Sequence, residues 1–424
     1  MERPRFAVEQ PEIRDYPPRR MMKIRRAIAN SCSVLSSQDF RAGELITHAQ
    51  SCLWLVGKSE LAKVLLTKDS TGKYMDPHSD LAAFVLGVPY EEFIKRKKEK
   101  RFSDMRQASK PENFGKPGGM GDPKLVQQQR KQGPDTPCDN GPVLVKNADG
   151  DLVPGYKGLR FCILMDGAER CGVHPDGRPN RVTQWGKRDY RFAPTCAHCL
   201  DCASRLGAFW KKRWTEADPY FNLISDIVKN GMVISEESLE RWPHLKDWFT
   251  PWQRLEPATI MQHVSGRLRR AGSDDEEKSP FCTLANGFFQ GLLADIAKHA
   301  HRIITRECYV RTIVPDMLFP NSKRSQFAGM ESPLFGSRIP VFQHDEVIGE
   351  HPASIAHEAA TRIAEIMRDV MRWYCPDLAE AAEAEETLML KWLKGAEKVV
   401  HGGRIVPWEP DHNPKKCEQC RAAA

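Results

Sequence analysis

Two carboxylate centres, one cationic face and a group of cysteines are the places in this chain where residue type and spacing could do chemistry. Asp39 stands at the end of an apolar, strand-like run, and Asp345 and Glu346 stand side by side at what reads as a hairpin tip. Alone, an acid at a strand end is ordinarily a helix cap or a turn former. Brought together, these acids suit a hard cation: Mg²⁺ takes one or two carboxylates plus substrate phosphates, and paired ions can activate one oxygen while stabilising another that departs. Arg106, Lys110 and Phe114 follow one another at i, i+4 and i+8, which sets two cations and an aromatic along one side of a helix. Such a face could grip a triphosphate and stack on a base; its plainer reading is an exposed basic face with a core phenylalanine. Cys162, Cys171, Cys196, Cys199 and Cys202, with His174 and His198 nearby, could staple a segment poor in apolar residues around a tetrahedral zinc ion. The four ligands would be Cys162, Cys171, Cys196 and either Cys199 or Cys202, with Cys138 able to replace one; unmetallated structural cysteines are the alternative. The pair Cys417 and Cys420 has no second pair close by and reads as part of a frayed terminus.

The elements that must position these groups are legible in outline. Cys32 to Gln38 reads as a short strand, and from Gly43 the residues Leu45, Ala49, Cys52, Leu53 and Val56 recur at helical spacing. The run from Lys95 to Arg101 is almost wholly basic and reads as a solvated helix end. Ser103 and Asp104 are helix-start signals for the segment that carries Arg106 and reaches Gly118 and Gly119, with Pro111 predicting a kink. Trp210 to Val228 and Ala285 to Ile304 read as helices, and Arg338 to Glu350 as a hairpin with His344, Asp345 and Glu346 at its tip. A helix follows with Ile363, Ile366, Met367, Val370, Met371 and Tyr374 on one face. Gly57-Lys58-Ser59 has the look of a phosphate loop, but Cys52 stands where its first glycine is required and the segment lies within a helical pattern. His299, His301 and His357 lie on helices without a metal-ligand set.

Composition bounds the answer. The 424 residues suggest two to three domains at about 150 residues each. Lys and Arg number 63 against 56 Asp and Glu, a net charge of +7 that favours polyanionic partners, nucleic acid among them. With 41% apolar and 28% charged residues, wholesale disorder, a collagen and a disulfide miniprotein are excluded. No window approaches the roughly 18 uncharged apolar residues of a membrane span, and the start lacks the apolar core of a secretory signal. The expected location is the cytoplasm, with no membrane partner, where the 13 cysteines are more at home reduced or metal-bound than disulfide-paired.

In this order the segments resemble the polymerase core of family A DNA polymerases, the DNA polymerase I family, and the bacteriophage type in particular. DFRAGELITHAQ (Asp39 to Gln50) is similar to motif A, MRQASKPENFGKPGG (Met105 to Gly119) to the fingers-helix motif B, and QHDEVIGE (Gln343 to Glu350) to motif C. Between B and C, SGRLRR (Ser265 to Arg270) and LANGFFQGLLADIAK (Leu284 to Lys298) also follow the family pattern. The resemblance implies an α+β fold: an antiparallel palm sheet, helical fingers and a Cys-rich insertion. Palm would occupy 1–60 and 271–424, fingers with motif B 61–132, the insertion 133–205, and template-contacting helices 206–270.

It also implies roles. Asp39 and Asp345 would hold two Mg²⁺ ions with the main-chain carbonyl of Phe40, and Glu346 would assist as an outer carboxylate. Arg106 and Lys110 would hold the incoming triphosphate, Lys110 also protonating the leaving group, while Phe114 would pack on the sugar and base. Glu44 matches the steric gate against a 2′-hydroxyl. Arg267, Asn286, Gln290 and His344 would follow the primer-template. Partners would be primer-template DNA and deoxynucleoside triphosphates, in phage replication within a bacterial cytoplasm. Three departures stand out. Gly118 and Gly119 replace the usual Tyr-Gly pair, Ile46 replaces a common arginine, and only 38 residues precede Asp39. The last predicts either a fragment or truncated gene product, or a separate chain that supplies thumb and exonuclease; the alternative function is a DNA-binding subunit of such a split polymerase, inactive without that partner.

Overall fold

The computed structural model describes residues 33–132, 144–146, 152–154, 197–271, 279–313, 329–343, 345–393 and 396–409. In chain order its elements begin with β1 (Ser33–Phe40), α1 (Gly43–Val56), α2 (Glu60–Leu66), α3 (Pro77–Leu86), α4 (Tyr90–Arg96), α5 (Lys100–Gly115) and α6 (Asp122–Gln132). Next come β2 (Leu144–Lys146), β3 (Leu152–Pro154), α7 (Ala197–Arg213), α8 (Ala217–Asn230), α9 (Glu236–Arg241), β4 (Thr259–Met261) and β5 (Leu268–Arg270). The chain continues through α10 (Pro280–Tyr309), β6 (Arg338–Gln343), β7 (Glu346–Pro352), α11 (Ala356–Tyr374), β8 (Ala384–Met389), β9 (Val399–His401) and β10 (Arg404–Trp408). Two compact units result: Met1–Ile46 with Gly291–Ala424, and Thr47–Gln290. Among the described residues no helix is long and apolar enough to cross a membrane.

The first unit is a six-stranded sheet in the order β6-β7-β1-β8-β10-β9. Strand β1 is hydrogen-bonded on both edges, so Val34, Leu35, Ser36, Gln38 and Phe40 are buried. It pairs antiparallel with β7 from Ser33 to Gln38 and with β8 from Leu35 to Phe40. The sheet is mixed rather than wholly antiparallel, because β10 runs parallel to β8. The cause is the β9–β10 hairpin, whose Gly402-Gly403 turn has positive φ at both residues and which joins the sheet through its second strand. Helix α11 packs on β1 and β8, where Ala356 and Ala360 meet Val34, Leu388 and Ile405. Its face from Ile363 to Tyr374 is buried as the 3.6-residue period requires. One charged pair lies within this packing: Arg362 of α11 donates through Nε and Nη2 to Glu307 of α10 at 2.9 and 2.8 Å, with both side chains 5% exposed.

The second unit is mainly helical. Helix α5 starts at Lys100, three residues before the expected signals, because Glu99 already holds the extended conformation of an N-cap; Ser103 and Asp104 lie inside the helix. The helix runs on through Pro111 to Gly115. Gly57-Lys58-Ser59 is a break between α1 and α2, not helix interior. Gly57 has φ +72°, and Ser59 caps α2 by accepting from the Ala62 N–H at 3.0 Å. The Ser59 hydroxyl and the N–H groups of Glu60 and Leu61 donate in turn to the carboxylate of Glu216 at 2.9–3.1 Å. The stretch read as one helix from Trp210 to Val228 is two, α7 and α8, and Glu216 belongs to the break between them. The period is helical on both sides of that break, which is why it was not visible as a boundary.

Removing one partner of a buried ion pair strands the other charge, at a cost of roughly 3–5 kcal/mol. Arg362→Met is expected to lower the denaturation midpoint accordingly, and Glu307→Gln with Arg362→Met together to recover much of it; equal midpoints for Arg362→Met and wild type in a urea titration would refute this.

Candidate active site

Asp39 is the penultimate residue of β1, and sheet register sets Glu385 of β8 directly opposite. On the other flank Gln38 faces Val347 of β7, so Glu346, the first residue of β7, comes level with the end of β1. Ser37, two residues before Asp39 and therefore on its side of the strand, donates from its hydroxyl to Glu346 Oε1 at 2.6 Å. Asp345 sits in the tight turn between Gln343 and Glu346. Antiparallel pairing thus draws residues far apart in sequence to one end of the sheet.

The electrostatics reflect that crowding. Although Asp39 reaches solvent, burial of its carboxyl group, then the charges of Asp345 and Glu346, raise its pKa to about 7; the Phe40 N–H pulls it the other way and Glu385 adds to the rise. Its neighbouring charges are acids, an arrangement that disfavours ionisation until a cation arrives. Among the described residues no group of three or more His, Cys, Asp or Glu can by itself hold a metal ion. The donors are nevertheless of the right chemistry for Mg²⁺, which takes oxygen ligands and draws several of them from water and substrate. Phe40 is buried and paired with Ala384 in the sheet. The turn after it places Ala42 at φ +52°, a left-handed conformation costing a non-glycine residue about 1 kcal/mol, before α1 opens with Gly43 and Glu44. A Cβ at 43 would stand 3.0 Å from Leu293 and 3.1 Å from Phe40, so any larger residue there would need both neighbours to give by a few tenths of an ångström.

The cationic site lies in the second unit, on α5 and the start of α3. Asp76 and Pro77 form a capped helix start, the acid at N-cap and proline at N1. Asp76 accepts from its cap partners, the His78 N–H at 3.1 Å and the Ser79 hydroxyl at 2.7 Å, and from Arg106 Nε at 2.6 Å. Burial pushes the Asp76 carboxyl up, but Arg106 and the Ser79 hydroxyl outweigh it and hold the group well below the usual carboxylate range. Asn113 donates to Pro77 O at 3.1 Å, lies 3.2 Å from His78 Nδ1, and accepts from the Trp214 indole at 3.0 Å, which locks α5 against α3. Phe114 is exposed and its ring stands 4.9 Å from that of His78. Burial lowers the pKa of Lys110, with Arg106 adding and Asp76 opposing. The imidazole of His78 is lowered to about 4, by burial first, with Asp76 opposing and Arg106, Lys110 and Lys97 adding. Sequence reasoning found Arg106, Lys110 and Phe114 but missed Asp76 and His78; the Asp-Pro helix-start signal was the clue.

Beyond these, Asn286 donates to Gly118 O at 3.1 Å and Cys282 O at 2.8 Å. That contact explains the first glycine of the Gly118-Gly119 pair, where any Cβ would collide with the Asn286 side chain; Gly119 has φ +79°. Arg267 and Gln290 are exposed, on the β4–β5 hairpin and on α10. His357 accepts from the Ile405 N–H at 2.9 Å, a structural role. His344, Cys138, Cys162, Cys171, His174, Cys196, Cys417 and Cys420 lie outside the described residues, as do the side chains of His198, Cys199 and Cys202.

No protein-family model matches the chain, and no curated protein does. Among solved structures it is similar to the POL domain of Pol1 from M. smegmatis in complex with DNA primer-template and dNTP, with 15% sequence identity and a TM-score of 0.45. The similarity covers 88% of this chain and 42% of that one, so this chain spans less than half the length of its neighbour.

Two measurements test the electrostatics. An unfolded aspartate ionises near 3.8, whereas folded Asp39 keeps its proton to about 7. Metal-free stability therefore declines as pH rises between those values. Mg²⁺ or Mn²⁺ should raise Tm at pH 8 much more than at pH 5, and Asp39→Asn should abolish the difference; equal shifts in wild type and variant would contradict the site. Glu112 of α5 is buried with neither carboxylate oxygen hydrogen-bonded, and burial raises it from 4.5 to about 8, with Lys116 opposing. Its stability cost is small near pH 5 and full above pH 8, so Glu112→Gln should stabilise at pH 9 by on the order of a few kcal/mol and little at pH 5. A calorimetric pH series with parallel curves would count against it.

Proposed function

We propose that the chain is a template-directed DNA polymerase core of the family A, bacteriophage type, adding deoxynucleotides to a primer 3′ end in phage DNA replication. The observation that supports this most is the meeting of motif A and motif C acids: Asp39 and the Asp345-Glu346 pair share one electrostatic environment at the end of the sheet.

Asp39 and Asp345 would hold two Mg²⁺ ions, with the Phe40 carbonyl as a further oxygen ligand. When bound, such ions lower the pKa of the primer hydroxyl and neutralise the departing pyrophosphate. Glu346, tied to Ser37, would act as an outer carboxylate. Arg106 would bind the triphosphate with its guanidinium aligned by Asp76. Lys110, with its pKa lowered, would give up a proton to the leaving pyrophosphate more readily than an ordinary lysine. Phe114, exposed beside His78, would pack on the incoming sugar and base. Glu44, five positions after Asp39, would exclude a 2′-hydroxyl. Arg267, Asn286, Gln290 and His344 would follow the primer-template through backbone and minor groove, with little sequence preference.

Primer extension by the purified chain with Mg²⁺ tests the reading. Asp39→Asn and Asp345→Asn should each lower kcat by on the order of a thousandfold while primer-template binding persists. Wild-type extension rates in both variants would refute the assignment, and tight DNA binding with no extension by the wild-type chain would identify a binding subunit instead.

A further inference from the structure

We propose that Lys97 is a further polyphosphate-binding residue, set against the same carboxylate, Asp76, that seats Arg106. This rests on the reading of the α3–α5 site as the triphosphate pocket and adds a cation from the basic run between Lys95 and Arg101, otherwise a solvated helix end.

The structure sorts that run residue by residue. Arg96 is fully engaged: it donates through Nε and Nη2 to Glu99 at 3.0 and 2.9 Å and through Nη1 to Glu92 at 3.3 Å, and it lies 4.2 Å over the Phe102 ring. Lys95 and Lys98 are exposed. Lys97, at the C-cap of α4, is partly exposed and stands with its Nζ 3.5 Å from Asp76 Oδ2, the oxygen that accepts from Arg106 and Ser79.

That geometry leaves two cations converging on one carboxylate. Asp76 cannot move to serve either one alone, because it caps α3 and its own N–H donates to the Tyr90 hydroxyl at 2.9 Å. The short contact belongs to Arg106, whereas the longer Lys97 contact is an attraction beyond ordinary hydrogen-bond length. His78, held at about 4 by burial, is neutral here, but Lys110 feels the charges of Arg106 and Lys97 as well as Asp76, so three cations face one aspartate. A chain of phosphates supplies the balance, and a flexible ammonium with three donors can swing from Asp76 to it without moving the helix.

The probe is inorganic tripolyphosphate, titrated calorimetrically into the full chain without metal. Lys97→Met should weaken its binding about fivefold, Lys97→Arg should restore most of the loss, and Lys98→Met on the exposed side should leave binding at the wild-type level. In primer extension, Lys97→Met should raise KM for the nucleotide with kcat little changed. Equal tripolyphosphate affinity in Lys97→Met, Lys98→Met and wild type overturns the inference, and if extension is normal the polymerase reading survives. Lys97-dependent binding in a chain that extends no primer leaves the polyphosphate site standing and removes the polymerase. An unchanged Tm for Lys97→Met, whose side chain is 39% exposed, separates lost binding from lost folding.

Discussion

Mutual repulsion of acids at the end of β1 is the constraint around which the first unit is organised. Asp39 reaches solvent, yet pairing on both edges of its strand sets Glu385 across from it on one side and brings Glu346 and Asp345 up on the other. The register cannot slip to relieve this: a one-residue shift would turn Val34, Ser36 and Gln38 away from the buried face beneath α11. Apolar packing therefore enforces an electrostatic arrangement that the acids alone would not adopt.

The second unit solves the inverse problem by similar means. Its surplus is positive, and the group that orders it, Asp76, is fixed by a helix start rather than a sheet. Helix capping sets the carboxylate, the carboxylate sets Arg106, and Asn113 with Trp214 sets the helix that carries Arg106, Lys110 and Phe114. Each step depends on a different kind of contact, so a substitution at Pro77 or Trp214 would shift Arg106 and Lys110 without touching either side chain.

The elements defined by strong periodicity were legible in sequence: β1, α1, α10, the β6–β7 hairpin and the buried face of α11. Their ends were not, because the cap of α5 is set by the backbone of Glu99 and the break before α8 interrupts two helical patterns of the same period. The parallel entry of β10 was invisible for a different reason, since strand direction within a sheet depends on which strand of a hairpin docks. At the candidate site, Arg106 and Lys110 were marked by their helical spacing, and Asp39 and Asp345 by the resemblance of their segments to motifs A and C. Asp76, His78 and Glu385 were not, because a cap acid, a helical histidine and a strand glutamate acquire chemical meaning only from what faces them across the fold.

Glycines and strained residues show the same dependence on neighbours. Gly118 looks like a departure from an aromatic-glycine pair when read along the chain, yet the Asn286 amide occupies the space its side chain would need. Ala42 accepts a left-handed backbone so that β1 can hand over to α1 directly after Asp39 and Phe40. These local costs gather beside the raised carboxyl of Asp39 in one unit and near the cations around Asp76 in the other. Clustered acids are relieved by a cation and clustered bases by a polyanion.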